Sequence, residues 1–238
     1  MGCPLYLAMT AAEFSSVSPL PSHTAWMACH FSPYGQGISN PPKELPEDSM
    51  LILNDRIPVK DHDPALIVTE LLFLVERFHT KRLLLDLQRP NVPQTGTIVK
   101  RIVDTLPCEV GVSHHYTLPH TPVFVPPIPL DATPQEYFAP WQGQQIWLEM
   151  TTEPLCLEIR NGSCQEAQWH GDKDAPDQWD ATQFCHYQIS TADDHIQFLL
   201  YRNSSDIDRF LNSLNAQGVT CGIGLYQEFH KRKTALQM

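Results

Sequence analysis

Positive charge is scarce in this chain: 16 Lys and Arg stand against 27 Asp and Glu, a formal net charge of −11. Nucleic-acid binding rests on cations that neutralise phosphates, so no nucleic-acid partner is expected. An anionic membrane surface is disfavoured for the same reason. Long apolar runs are missing too. The most apolar stretch, Ala65 to Val75, is broken by Thr69 and Glu70 and cannot span a bilayer. The seven cysteines (Cys3, Cys29, Cys108, Cys156, Cys164, Cys185, Cys221) are odd in number and contain no C-x-x-C. That reads as reduced thiols of a cytosol rather than a disulfide framework or a zinc site. The opening Met1-Gly2-Cys3-Pro4-Leu5-Tyr6 lacks the basic start of a secretory leader, and Tyr6 breaks the myristoylation pattern. A cytoplasmic location is expected, with no membrane partner. Small molecules, neutral sugars or other proteins remain.

What is present is enough for a core. Of 238 residues, 42% are hydrophobic and 18% charged, which suits one α/β domain. Short apolar strands at Leu5–Thr10, Ala25–Phe31, Met50–Asn54, Arg82–Leu87, Cys108–Ser113, Pro122–Val125 and Ile146–Met150 alternate with loops and a few helices. One helix is capped by Asp63 with Pro64 in its first turn, and Ile67, Val68, Leu71, Leu72, Leu74, Val75 and Phe78 share its apolar face. A second spans Thr95 to Leu106 and is stopped by Pro107; a shorter one runs from Thr133-Pro134 to Trp141.

After Met150 the texture turns to hairpins. Asn161-Gly162 suits a type I′ turn between Leu155–Arg160 and Ser163–Trp169, which sets Ile159 opposite Cys164 and keeps Cys156 and Cys164 apart. Gly171–Asp180 is polar and reads as a loop. Phe184–Ser190 and His195–Tyr201 form another strand pair, Ser205–Ala216 a helix capped by Ser204 or Ser205, and Val219–Tyr226 a last strand. A complete (β/α)₈ barrel takes ~250 residues with a helix after every strand. The expected fold is therefore α/β: an irregular or incomplete (β/α) TIM-like barrel with β-hairpin insertions in the C-terminal third. It is read as a single domain over 1–238 with a hairpin-rich subregion at 145–202, and an open mixed sheet is the alternative.

Chemistry is expected where strands end, because parallel strands point their C-terminal ends at one face. The strand ends read Cys29-His30-Phe31-Ser32, Asn54-Asp55-Arg56, Asp86-Leu87-Gln88-Arg89, Ser113-His114-His115-Tyr116 and Glu149. A carboxylate pair drawn from Asp86, Glu149 and Asp55 suits acid/base or acid/nucleophile work in glycoside hydrolysis. His30, Tyr34, Gln88, Arg89, His114 and Tyr116 are the substrate-binding candidates, and Tyr34, Tyr116 and Trp147 are aromatics for stacking on a sugar. The run Ser32–Gly37 reads as a loop at the mouth, in the manner of a lid. No cofactor is called for. A divalent metal on His30, Asp55, Asp86 and His114 is the weaker variant, since no compact ligand spacing supports it.

Each feature has a plainer explanation beside it. Asp55 with Arg56, and Asp86 with Arg89, are the composition of ion pairs that stitch loops to a sheet. His114 and His115 must point to opposite sides of their strand, so at most one joins the site and the other is solvated or packed. Asp61-His62-Asp63 is explained by helix capping. No G-x-S-x-G elbow, G-x-G-x-x-G or Walker loop is present.

Leu51-Ile52-Leu53-Asn54-Asp55-Arg56 resembles a strand of thiamine-phosphate synthase, a TIM barrel, without that family's glycine-rich phosphate loop. The longer phrase from His30-Phe31-Ser32-Pro33-Tyr34-Gly35 through Asn54-Asp55-Arg56 to Asp86-Leu87-Gln88-Arg89 resembles a group of bacterial TIM-barrel-like proteins with no assigned activity. The alternation of strand and polar strand end is similar in style to glycoside-hydrolase barrels, although a D-x-x-D-x-D-x-E motif is not found. The expected function is a small-molecule enzyme of glycoside-hydrolase type acting on a carbohydrate-like ligand. The alternative is a non-catalytic binding or interaction protein on a degenerate barrel, with a homodimer contact involving Trp141, Trp147, Trp169 and Trp179.

Overall fold

The computed structural model describes residues 2–235, apart from Gln36, Asn91, Leu130, Asp131, Lys173 and Asp174, and omits the side chains of Ser204 and residues 231–235. Eight parallel strands form a ring: β1 (Leu5–Met9), β2 (Thr24–Phe31), β3 (Met50–Asn54), β4 (Arg82–Asp86), β5 (Glu109–Ser113), β6 (Val123–Val125), β7 (Ile146–Met150) and β8 (Val219–Leu225). β8 pairs with β1, and β1 with β2, so the ring closes and the open mixed sheet does not form. Closure removes the exposed edges that an open sheet would leave.

The irregularity lies in the helical layer. α1 (Ala11–Ser16), α2 (Pro64–Phe78), α3 (Pro93–Thr105) and α4 (Pro134–Phe138) follow β1, β3, β4 and β6; α5 (Ser204–Ser213) precedes β8 and α6 (Tyr226–Ala235) follows it. β2 leads into a long loop with a short antiparallel strand, Ile38–Ser39, and β5 into a three-residue 3₁₀ turn, His114–Tyr116. As expected, Asp63 caps α2, its carboxylate accepting from the Ala65 amide at 2.8 Å. α5 differs. Its cap is Asn203, whose Oδ1 accepts from the Ser205 and Asp206 amides while Asp206 reaches back to the Asn203 amide. α1 went unread because its signal is a single capping box, Thr10 with Glu13, and it buries no residue.

Strand alternation divides the core into two parts. Outward residues pack under helices: α2 buries Ile67, Val68, Leu71, Leu74 and Val75, and α3 buries Ile98, Val99 and Ile102. Inward residues fill the barrel, among them Ala8, Met50, Ile52, Leu84, Phe124, Trp147 and Ile223. Near the N-terminal ends of the strands, Arg82 donates to Glu109 Oε2 from Nε and to the Tyr6 hydroxyl from Nη1, both at 2.9 Å. Among the described residues the interior is thus packed below and open above.

Between β7 and α5 lies a five-stranded antiparallel sheet in the order Ser163–Glu166, Leu155–Arg160, His195–Tyr201, Cys185–Thr191, Gln178–Asp180. Asn161 and Gly162 take φ of 51° and 76°, and Cys164 pairs with Ile159, the register their turn predicts. The last strand falls inside the stretch expected to be a loop. Among the described residues, no helix is long and apolar enough to cross a membrane.

Candidate active site

Three neighbouring strands set the first wall of the site. His30 on β2 pairs with Asn54 on β3, and Asn54 with Asp86 on β4, so these side chains stand in one row at the strands' C-terminal ends. Glu149 on β7 shares the inward parity of Trp147, which lies two residues earlier and is fully buried in the barrel. Together they line a cavity of about 850 Å³ with an apolar floor of Ala8, Met27, Ile52, Leu84, Phe124 and Ile223. The polar rim comes from Thr10, His30, Asn40, Asn54, Asp55, Arg56, Asp86, Gln88, Arg89 and Glu149.

The two central acids are held towards their neutral forms. Burial raises Asp86, with the Asp55 carboxylate adding to the effect and a hydrogen bond from the Gln88 amide to Asp86 Oδ1 opposing it. Burial also pushes Glu149 up to about 7, helped by the negative charges of Asp86 and Glu228. Glu228, in the first turn of α6, is fixed by the Thr151 hydroxyl at 2.9 Å and the Thr152 amide at 3.3 Å. A carboxyl that titrates near neutrality beside a second one is the arrangement acid/base chemistry uses.

Asp55 is built differently. It is buried, and its two oxygens accept from the Gln88 and Arg89 amides at 3.1 and 2.9 Å, fastening the loop after β4 across to β3. Neither expected ion pair forms: among the described residues no salt bridge joins Asp55 to Arg56 or Asp86 to Arg89, and Arg89 donates to the Asp55 carbonyl instead. His30 is engaged at both nitrogens. Nδ1–H donates to the Phe31 carbonyl at 2.8 Å, which leaves Nε2 to accept from Asn40 at 3.0 Å.

Three expected binding residues stand off the cavity wall. Tyr34 is 87% exposed at the tip of its loop and is not part of the lining. Tyr116 donates its hydroxyl to the Arg89 carbonyl and accepts from the Val92 amide at 3.3 Å, bracing the loop between β4 and α3. His114 and His115 are not on opposite faces of a strand, because β5 ends at Ser113. They sit in the 3₁₀ turn with ring centroids 3.9 Å apart, and His114 meets Trp141 edge-on at 6.4 Å. Trp147 lies below the cavity with no exposed surface and cannot stack on a ligand. The metal set is therefore not assembled, and among the described residues no three His, Cys, Asp or Glu converge to hold an ion.

In the loop expected to act as a lid, Gln36 lies outside the described residues; its base is tied down by the buried His62. That ring accepts from the Lys60 amide at Nδ1 and donates from Nε2 to the Ser32 carbonyl, both at 3.0 Å. Asn54 and Arg56 are cavity residues that the sequence reading named at a strand end without assigning them to the site. The alternation of β3 and its register with β4 carry that signal for Asn54.

No family model matches the chain, and no curated protein matches it. Solved structures do resemble it. A GH18 chitinase from Cycas revoluta in complex with (GlcNAc)3 superposes with a TM-score of 0.58 at 11% identity, covering 98% of this chain and 97% of that one. The Bacillus cereus spore cortex-lytic enzyme SleL gives 0.54 at 10% identity, covering 93% of this chain and 70% of that one. At such identities the likeness establishes the TIM-barrel fold and nothing of the reaction.

Proposed function

We propose that the cavity is a carbohydrate-processing site of hydrolase type, with Glu149 as proton donor and Asp86 as the companion carboxylate. The observation that carries this reading is Glu149, half-buried and pushed up to about 7 at the rim of a cavity it shares with Asp86. A protonated Glu149 would deliver its proton to the oxygen of the bond being broken. Asp86 would face the positive charge that develops on the sugar, either directly or through an activated water. Asn54, Arg56, Arg89 and Gln88 supply donors for ligand hydroxyls, and Asp55 keeps the last two in position. Structural neighbours solved with bound oligosaccharide support the ligand class by analogy.

The test is hydrolysis of a panel of chromogenic glycosides and oligosaccharides by the wild type, Glu149→Gln and Asp86→Asn. The expected result is activity that falls as pH rises through about 7 and drops ~10²–10⁴-fold in either variant with ligand binding retained. Full activity in Glu149→Gln, or a pH profile unchanged by it, sinks the assignment.

One observation favours a second reading, a binding barrel without turnover. Gln88, two residues after Asp86, places an amide rather than an acid against that carboxylate. An amide cannot donate a proton at a leaving group. If the wild type binds oligosaccharides without cleaving them and Gln88→Glu begins to cleave, the binding reading prevails.

A further inference from the structure

The sheet inserted between β7 and α5 has its polarity reversed. An antiparallel sheet with one covered face normally buries apolar side chains there and gives polar ones to water. Here the covered face is the polar one. Glu158 and Gln197, opposite one another on adjacent strands, are 9% and 1% exposed, and Gln197 Nε2 donates to Glu158 Oε2 and to the Gln168 carbonyl, both at 3.1 Å. The His170 amide donates back to Gln197, Gln188 reaches the Ala175 carbonyl, and Trp169 and Gly171 close against Ser190. The chain has already covered that side with its own segment.

The other face is apolar. Pairing places Ile159 beside Ile196, Leu157 beside Phe198 and Phe198 beside Ile189, with Leu155, Leu200 and Tyr187 continuing the rows. Ile159, Ile196 and Ile189 are 38%, 39% and 36% exposed, and none of these residues joins the described core clusters. The three central strands carry no charge on this face. Glu166 and Asp180 stand only on the two outer strands, the distribution of an apolar interface centre with a charged rim.

We propose that this face is a homodimer interface, covered by the same face of a second copy. Five strands about 4.8 Å apart, the central three six or seven residues long and the outer two four and three, give a face of roughly 20 by 20 Å. With side-chain relief, that is on the order of 600–800 Å² of accessible surface per copy, close to what a stable pair needs. A single helix, about 10 Å across, would leave half of it wet. A second flat sheet covers it whole, packing about 10 Å away with interdigitated side chains, and another copy of this chain supplies one. The contact does not use Trp147, which is inside the barrel, or Trp179, which pairs opposite His186 on the other face of the sheet. The inference stands apart from the proposed hydrolase chemistry.

Sedimentation velocity of the full chain across a concentration series tests it. The wild type is expected to reach twice the 27.0 kDa chain mass. Ile159→Asp with Ile196→Asp is expected to weaken association on the order of 100-fold or more by placing charges in a dry contact, with circular dichroism and Tm held. Ile189→Lys, a milder variant, is expected to act in the same direction, and Phe73→Asp on the remote α2 to leave the dimer intact. A wild type that stays monomeric throughout overturns the proposal, as does a dimer that survives the double substitution.

Discussion

A Cβ on Gly111 would lie 2.2 Å from Cε3 of Trp147, so the indole fills the barrel interior because β5 carries no side chain at that level. Trp147 shares its strand and its inward parity with Glu149. The fit between β5 and β7 therefore sets the floor beneath the acid. Gly111→Ala is expected to cost about 3 kcal/mol, the upper end for overpacking a core with no room to yield. Urea unfolding read by Trp fluorescence measures it, and a loss under about 0.5 kcal/mol would show that the indole has another place to go.

Asp55 spends both oxygens on the amides of Gln88 and Arg89. Asp55→Asn keeps one acceptor and turns an amide donor towards the second N–H. The expected loss is about 1–3 kcal/mol for a buried donor left unpaired. Amide hydrogen exchange at residues 88 and 89 should quicken while exchange in α2 stays slow. Unchanged protection at those two amides would remove Asp55 from its positioning role.

These two cases show what was legible in the sequence and what was not. The strand-end placement was readable because β3, β4 and β7 are short and apolar, so parity alone turns Asn54, Asp86 and Glu149 inward. The turn residues Asn161-Gly162 gave the hairpin register for the same local reason. What a polar strand-end residue is committed to could not be read. Asp55 and Tyr116 are claimed by backbone groups 33 and 27 residues away, which no local spacing encodes. His114 was misplaced because the strand stops one residue earlier and a 3₁₀ turn rotates both rings off the cavity. Gly171–Asp180 hid a strand because its partner, Cys185–Thr191, supplies the apolar side of the pair.

Gln88 lowers Asp86 through its amide hydrogen bond, against the burial that raises it. Gln88→Glu replaces that donor with a like charge, and two adjacent carboxyls then favour sharing one proton. The folded state would hold a proton that the unfolded chain releases, so the cost is absent at low pH and grows once pH passes the unfolded carboxyl range. The expected outcome is equal stability at pH 4 and a loss of about 1–2 kcal/mol at pH 8. A pH-independent difference between wild type and variant would mean the two side chains do not meet.

Glu149 gives the converse experiment. Its carboxyl titrates near 4.5 as an ordinary glutamate and is pushed up to about 7 in the fold, so folding favours the protonated form. Below about pH 4.5 the acid is neutral in both states and costs nothing. Between there and about 7 the unfolded chain ionises first, stability declines, and above about 7 the full penalty remains. Glu149→Gln removes the charge without changing the shape, so wild type and variant should match at acidic pH while the variant gains at pH 8. The gain is about 1–3 kcal/mol after allowance for the screening that the open cavity gives a partly exposed group. Thermal or urea unfolding across this range reads it directly. A variant no more stable than wild type at pH 8 would mean that Glu149 ionises freely, and with that the proton donor of the proposed reaction would be lost.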